Sequence, residues 1–270
     1  QEYAAFCGQP KLFIAIDQEG GQVARLKPPF TQFAGNAHMK DEADAIEFAR
    51  VTAAELSDIG VNMDMAPVLD VAPKDINSIM AERSFGSDPD WVGQMGAAVI
   101  NHLQRNKIMA VAKHFPGIGR TVLDSHLELP DLAASMEDLN IDLLPFQKAV
   151  DASVAGIMLS HIRYLRIDPV WPASLSSAVV KDLLRDQMGY QGVVMTDDLD
   201  MGAIKKHYSI TTAMEQIIAA QVDIALICHK GPDIQTAFDF LKAYYLKEDK
   251  EETALEPIMR IMALKEDYLT

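Results

Sequence analysis

Short apolar runs recur along the chain and alternate with longer stretches of helical periodicity. Each run has the length of a strand and is apolar at successive positions, which is typical of parallel strands that are buried on both faces. The predicted strands are 12–16, 61–65, 108–112, 156–160, 192–196 and 223–228. The predicted helices are 41–58, 88–106, 135–151, 176–188, 211–221, 233–247 and 256–268.

Repeated strand–helix units predict a parallel sheet, and two architectures compete for it: an open doubly wound sheet and a (β/α)8 barrel. Neither a GxGxxG after the first strand nor a GxxxxGK[ST] motif occurs, which disfavours the nucleotide-binding doubly wound sheet. Polar residues follow nearly every strand, as in a barrel active site. They are Asp17, Asp64, Asp70, Lys113, His114, His161, Asp197 and Asp198. We therefore predict an α/β protein with one domain over 1–270, a TIM-barrel-like fold that lacks or truncates the first βα unit.

Composition excludes several classes of protein. The 270 residues are 49% hydrophobic, which is enough for one large core, and the formal net charge is −15. Without a cluster of Lys and Arg, this acidity argues against a nucleic-acid partner. No run approaches the roughly 18 apolar residues of a membrane span. We expect a cytoplasmic monomer with no cofactor, although the chain begins at Gln1 rather than Met, which leaves export open. Cys7 and Cys228 are expected to be buried free thiols.

The pair Asp197–Asp198 follows the apolar run Gly192–Thr196. A carboxylate at the end of a barrel strand can serve as a nucleophile or a metal ligand, whereas Asp is also a favoured helix N-cap. The position of Asp197 at the strand end favours function. For Asp198 both interpretations stay open.

The segment Asp124–Ser125–His126 has three interpretations. The carboxylate can hold the imidazole in one tautomer to make a general acid/base pair, or both side chains can bind a metal, or Asp124 caps a turn and His126 is solvated. The approach through Gly117 and Gly119 favours the first, because a glycine-containing loop can move its tip over a site.

A metal site is the weaker alternative. The candidate ligands are His114, Asp124, His126, His161 and Asp197, but no HExxH or CxxC motif accompanies them, and the neighbouring Lys113 cation opposes a metal ion.

Three further polar features stand near predicted strand ends. Lys113 and His114 end a buried strand, where lysine is rare without a partner, so a polar ligand such as a sugar would satisfy them. Taken alone, Arg83 is best interpreted as a surface ion pair. Asp17 precedes Gly20–Gly21, which fits a tight turn around a bound polar group.

Taken together, these motifs resemble glycoside hydrolase family 3, in its β-N-acetylglucosaminidase branch. The segments that carry the resemblance come in the family's order and span most of the chain. They are AIDQEGGQVARL (15–26), NMDMAPVLDV (62–71), ERSFG (82–86), KHFPGIG (113–119), DSHLELP (124–130), LLPF (143–146), PASLS (172–176) and GVVMTDDLDMGAI (192–204).

The resemblance implies a retaining barrel enzyme that hydrolyses terminal β-linked N-acetylglucosamine, including peptidoglycan-derived muropeptides. It implies that Asp197 is the nucleophile, that His126 is the acid/base and that Asp124 is its dyad partner. The implied sugar-binding residues are Asp17, Arg25, Arg83, Lys113 and His114, with no metal.

Two positions depart from the family pattern: Ile118 stands where His is usual, and Gln22 stands where Arg is common. Two other functions stay open beside hydrolysis. One is a barrel that binds N-acetylglucosamine-containing glycans without turnover, and the other is a phosphorylase that uses the same site with phosphate in place of water.

Overall fold

The computed structural model describes residue 8, residues 10–247 and residues 252–269. Cys7 lies outside the described residues. Within them the strands are β1 (Ala15–Ile16), β2 (Gln18–Gly20), β3 (Val23–Ala24), β4 (Met63–Asp64), β5 (Met109–Phe115), β6 (Asp131–Leu132), β7 (Gly156–Leu159), β8 (Arg163–Tyr164), β9 (Val193–Asp198) and β10 (Ile224–Leu226).

The α-helices of the described residues are α1 (Glu42–Asp58), α2 (Pro89–Arg105), α3 (Met136–Asp151), α4 (Gly202–Lys205), α5 (Ile210–Ala219), α6 (Pro232–Tyr245) and α7 (Glu256–Leu269). A π-helix, Ala178–Gln187, occupies the predicted helix 176–188, and 3₁₀ turns cover Asn36–His38, Ala173–Leu175 and Glu252–Leu255. Side-chain oxygens cap the starts of α1, α2, α3 and α5, which explains why these helices begin where they do. The capping residues are Asp41, Asp88, Ser135 and Ser209. None of the helices in the described ranges is long and apolar enough to cross a membrane.

The main sheet winds in one direction. Its six strands pair in the order β1-β4-β5-β7-β9-β10, and every pair is parallel. A doubly wound sheet reverses its strand order at a switch point, and this order shows no reversal. The TIM-barrel-like α/β prediction is therefore confirmed, and all six predicted strands form.

The structure adds short elements that the pattern did not predict. β2 and β3 form an antiparallel hairpin, β6 and β8 pair in parallel, and α4 is a single turn after β9. β5 also extends beyond the predicted 108–112, because Phe115 still pairs with Leu159 of β7. These strand pairs are two or three residues long, which is too short to produce a periodic signal.

The two faces of the main sheet bury different residues, as expected for strands whose side chains alternate. The face toward α1, α2 and α3 carries small and branched side chains, among them Ala110, Ala112, Ile157 and Val194. The opposite face is rich in methionine and packs against α7. The buried residues of this second core are Met63, Met65, Met109, Val111, Ala155, Met158, Val193 and Met195 from the sheet side and Leu264 and Leu269 from α7.

An ion cluster attaches α7 to the sheet. The Asp223 carboxylate accepts hydrogen bonds from Arg185 Nη2 at 2.9 Å, from Arg260 Nε of α7 at 2.9 Å and from the Val194 amide at 2.6 Å. Its side chain is fully buried. Removing one partner of such a cluster leaves buried charge without compensation.

We predict that Asp223→Ala lowers the free energy of unfolding by about 3–5 kcal/mol, the range for breaking a buried ion pair. Urea denaturation followed by circular dichroism measures it. The matched control is Asp186→Ala, at an exposed position of the π-helix, where we expect a change within about 0.5 kcal/mol. A loss for Asp223→Ala no larger than that of the control would contradict the anchoring role.

Candidate active site

The carboxyl-terminal ends of the main-sheet strands surround a cavity of about 670 Å³. Seven of the eight sequence-predicted site residues line it: Asp17, Arg25, Arg83, Lys113, His114, His126 and Asp197. The eighth, Asp124, hydrogen bonds to His126. The structure therefore brings together residues that lie up to 180 positions apart in the chain.

A buried ion cluster forms one wall of the cavity. Lys113 Nζ lies 2.6 Å from Glu19 Oε1 and 2.9 Å from Asp17 Oδ1. Arg83 donates from Nε and Nη2 to the two oxygens of Glu19, at 2.9 and 2.7 Å. Burial alone would raise the pKa of Glu19, but Lys113 and Arg83 outweigh it and lower the pKa to about 2. Burial likewise acts to lower the pKa of Lys113, yet Glu19 and Asp17 raise it, so the lysine is charged.

This cluster corrects two expectations about Lys113 and Arg83. Lys113 does not need a bound sugar to be satisfied, because two carboxylates of the protein already pair with it. Arg83 is a largely buried partner of Glu19, with its side chain 20% exposed, and is not a surface ion pair. Glu19 was not among the residues predicted from the sequence, although two cations near predicted strand ends signal that an acidic partner exists.

Asp70 holds His114 against the cavity. Its buried carboxylate accepts Nδ1–H of His114 at 2.8 Å and the Ile118 amide at 2.8 Å. A carboxylate only accepts, so His114 carries its proton on Nδ1, and Nε2 remains for a ligand. The Lys113–His114 peptide bond is cis.

Asp197 lies at the end of β9 and is half-buried. Its Oδ1 accepts the Asp198 amide at 2.8 Å, which leaves Oδ2 available for chemistry. Burial raises the pKa of Asp197, but His161, His114, the Asp198 amide and Lys113 together hold it below its usual value. The side chain is therefore an anion throughout the neutral pH range.

The buried imidazole of His161 stands behind this strand end. Its Nε2 lies 2.9 Å from the carbonyl oxygen of Asp198, and its Nδ1 lies 2.7 Å from Ser174 Oγ. A carbonyl only accepts, so Nε2 carries a proton and donates to Asp198, and Nδ1 shares a hydrogen bond with the serine hydroxyl. Burial lowers the pKa of His161, and the nearby Asp197 and Asp198 act in the opposite direction.

Asp198 holds a turn and is not a helix cap. Its Oδ1 accepts the amides of Asp200 and Cys228, each at 3.0 Å, and the residue at the N-cap of α4 is Met201. The expectation that Cys228 is buried is wrong: its thiol is free and exposed, because the residue follows β10 at the rim of the cavity. Partial desolvation beside the cavity and the neighbouring Asp198 carboxylate raise the pKa of this thiol to about 12.

The Asp124–His126 pair is built within one turn of chain. Asp124 Oδ1 accepts both Nδ1–H of His126, at 2.7 Å, and the His126 amide, at 2.9 Å. The side chains of Asp124 and His126 are 49% and 67% exposed. With the proton on Nδ1, Nε2 is the nitrogen that can exchange protons across the cavity.

The loop that leads to His126 is held at its start. Ile118 is buried in the main core, which gives a packing reason for an apolar residue at this position. Arg120 Nε donates to buried Asp142 at 2.8 Å, and burial raises the pKa of Asp142 to about 7 against the effect of Arg120. Gln22, the other departure from the family pattern, is exposed.

The side chains whose spacing could hold a metal ion differ from the ligands considered from the sequence. In the described part of the chain, the group of side chains with suitable mutual distances is Asp198, Asp200 and His229. It shares no member with the five ligands considered from the sequence. Lys205 Nζ lies 2.6 Å from Asp200 Oδ1, so a cation of the protein already pairs with this group.

Known proteins resemble the chain in sequence and in fold. A beta-hexosaminidase of Nitrosomonas eutropha is 36% identical over 234 residues, which cover 83% of this chain and 66% of that protein. A beta-hexosaminidase A of Pseudoalteromonas piscicida is also 36% identical, over 81% of this chain and 40% of its own length. The solved structure of a glycoside hydrolase family 3 beta-N-acetylglucosaminidase from Paenibacillus sp. str. FPU-7 superposes with a TM-score of 0.94 at 35% identity.

That superposition covers 99% of this chain and 52% of the Paenibacillus chain. The chain thus spans between about two fifths and two thirds of the length of these three relatives. The family model described as the Glycosyl hydrolase family 3 N terminal domain matches residues 6–261, nearly the whole chain. The chain therefore belongs to glycoside hydrolase family 3.

Proposed function

We propose that the protein is a retaining exo-glycosidase that hydrolyses terminal β-linked N-acetylglucosamine, with peptidoglycan-derived fragments among its substrates. Asp197 is the nucleophile, His126 is the acid/base, and Asp124 fixes the tautomer of His126. The observation that carries the proposal is one cavity lined by an ionised carboxylate at a strand end and by a histidine held by an aspartate. The relatives are named as beta-hexosaminidases and a beta-N-acetylglucosaminidase, which supports N-acetylglucosamine as the sugar.

The proposed reaction has two balanced steps. In the first, Asp197 Oδ2 attacks the anomeric carbon, the bond to the leaving oxygen breaks, and His126 donates its Nε2 proton to that oxygen. In the second, a water oxygen attacks the same carbon, the glycosyl–aspartate bond breaks, and His126 Nε2 takes the water proton. A histidine replaces the second carboxylate of the usual glycosidase pair.

The charges around the cavity favour water over phosphate as the acceptor. Five carboxylates line the cavity, those of Asp17, Glu19, Asp197, Asp198 and Asp200. The Lys and Arg side chains that line it are Arg25, Arg83 and Lys113, and each of these cations pairs with Asp17 or Glu19. Because no excess of positive charge faces the nucleophile, an anionic acceptor is disfavoured. Hydrolysis is thus the better-supported reaction, and the Asp197 and His126 arrangement argues against a binding protein without turnover.

We predict that Asp197→Ala abolishes measurable turnover of an aryl β-N-acetylglucosaminide while N-acetylglucosamine still binds, because the residue forms the covalent intermediate. Steady-state kinetics and calorimetric titration measure the two quantities. A 5-fluoro glycosyl donor should label the peptide that contains Asp197 in the unaltered protein and should not label Asp197→Asn, the isosteric control. Label on Asp198 or Asp200 would refute the assignment.

We predict that His126→Ala loses most of its kcat/KM on substrates with poor leaving groups, by about 10²–10⁴-fold, because an alkoxide needs a proton to depart. An activated dinitrophenolate departs without one, so its kcat/KM should change little. The measurement is a leaving-group series on both proteins, and added azide should restore the second step. Equal losses for all leaving groups would return His126 to a solvated loop residue.

We predict that Arg83→Ala lowers kcat/KM by about 30- to 900-fold, equivalent to about 2–4 kcal/mol for a charge-assisted hydrogen bond in a closed site. The matched control is Arg50→Ala, because this guanidinium is 59% exposed and pairs with Glu47 on α1, outside the cavity. We expect its kcat/KM to change by less than about twofold, because a surface ion pair away from the cavity does not contact the sugar. Equal losses for the two variants would place Arg83 outside the sugar-binding wall.

A further inference from the structure

The loop that carries His126 is docked on the segment that follows the strand of Asp197. The carbonyl oxygen of Ser125 accepts the Ala203 amide at 3.1 Å, and that of His126 accepts the Gly202 amide at 3.0 Å. Both amides belong to the first turn of α4, where N–H groups have no partner inside the helix. The loop therefore satisfies backbone donors that the short helix leaves free.

Lys206 extends this contact by one residue. Its Nζ donates to the carbonyl oxygen of Leu127 at 2.6 Å and pairs with the Glu128 carboxylate. The ammonium and the carboxylate are both more than half exposed, so the ion pair itself contributes little stability. The hydrogen bond to the Leu127 carbonyl matters for position more than for stability, because it fixes the chain directly after His126. Three successive carbonyls of the loop, 125 to 127, thus bind one segment.

Gly202 is the residue that permits this approach. A Cβ added there would lie 2.6 Å from the Leu127 carbonyl oxygen and 2.7 Å from that of His126. Real Cβ atoms essentially never come within 3.0 Å of such atoms, and both oxygens belong to the backbone of the loop. The φ angle of Gly202 does not lie in the left-handed region that favours glycine. A glycine is therefore needed at this position because of the close contact and not because of the backbone angle.

The contact relates the two reacting groups to each other. Gly202 lies five residues after Asp197. A loop that binds Gly202 and Lys206 is therefore fixed in position relative to the end of β9. The side chains of Asp124 and His126 are 49% and 67% exposed, so packing around them does not define their position. The backbone contacts of residues 125–127 supply that definition.

We propose that Gly202 and Lys206 are positioning residues that hold the His126 loop at its working distance from Asp197. This inference rests on the proposed acid/base role of His126. A side chain at position 202 displaces the loop, and loss of the Lys206 ammonium frees it after His126. In each case His126 protonates the leaving oxygen poorly, while Asp197 and the cavity wall formed by Asp17, Glu19, Arg83 and Lys113 are unchanged.

The test compares Gly202→Ala, Lys206→Met and Lys206→Arg with His126→Ala on two substrates, methyl and 2,4-dinitrophenyl β-N-acetylglucosaminide. A displacement near 1 Å can cost about 100-fold in rate. We expect Gly202→Ala to lose about 10- to 100-fold in kcat/KM on the methyl glycoside and less than about threefold on the dinitrophenyl glycoside. Lys206→Met should show the same selectivity to a smaller degree, and Lys206→Arg should restore most of the loss.

The matched control is Gly231→Ala. Gly231 precedes α6, has an extended backbone, and an added Cβ there meets nothing within 4 Å. We expect this variant to match the unaltered protein on both substrates. Circular dichroism and the activity on the dinitrophenyl glycoside report whether each variant is folded, and Lys206→Met carries the test if Gly202→Ala is not.

The outcomes separate this inference from the proposed function. A leaving-group-selective loss for His126→Ala with no selective loss for Gly202→Ala and Lys206→Met would overturn the positioning role alone. An equal loss on both substrates for the two variants would also overturn it, because a general structural defect does not depend on the leaving group. If His126→Ala itself shows no selectivity, the acid/base assignment and the positioning role both fall.

Discussion

A lysine ammonium buried near the end of β5 constrains the arrangement of the segments at the carboxyl-terminal ends of the main-sheet strands. Lys113 is 2% exposed, and an unpaired charge at such a depth would cost several kcal/mol. Glu19 on β2 and Asp17 just before it compensate that charge, and Arg83 in turn donates to both carboxylate oxygens of Glu19. Three distant segments must therefore meet at one point for the buried charges of Lys113 and Glu19 to be tolerated. That meeting point is a wall of the cavity, so the same pairing that keeps the fold intact also orders the site.

Asp70 connects this wall to the loop that carries His126. Its carboxylate binds the imidazole of His114 with one oxygen and the amide of Ile118 with the other. His114 faces the cavity, whereas Ile118 begins the loop that continues through Arg120 to Asp124 and His126. A shift of the loop root would thus disturb His114 as well. The buried groups form a network with few independent positions, whereas the exposed Asp124–His126 pair is held through the carbonyls of residues 125–127, which the amides of the turn after β9 and the Lys206 ammonium bind.

Much of the fold followed from the sequence because its signals are local. Continuous apolar runs and polar residues after them distinguish a buried parallel barrel strand without reference to any contact, and the six strands formed as expected. Partnerships across the chain had no such signal. The ion pair between Lys113 and Glu19 joins residues 94 positions apart. The sequence around a lysine at a strand end does not distinguish one that binds a sugar from one that pairs with a carboxylate of the protein.

Gly202 shows the same limit at a single residue. The sequence contains the glycine, but its reason is the closeness of two carbonyls from another loop, which only the folded chain reveals. The π-helix at Ala178–Gln187 is similar: its hydrophobic pattern predicts a helix, but an i→i+5 ladder differs from an α-helix in hydrogen bonds and not in a period that can be read from the sequence. The successful predictions thus rest on apolar periodicity within one segment, whereas the missed features rest on contacts between two segments or on a hydrogen-bond pattern that this periodicity does not reveal.

The contrast between Asp197 and the Asp124–His126 pair fits the different demands of the proposed reaction. A nucleophile gains from a desolvated carboxylate whose charge is held by fixed neighbours, and Asp197 has His161, His114 and Lys113 around it. An acid/base that must first reach a leaving oxygen and then accept a proton from incoming water has to stand where solvent enters. Such a residue cannot be held by burial. Docking of its backbone on the turn after β9 resolves the conflict, because main-chain carbonyls fix the position of His126 and leave its imidazole open to water.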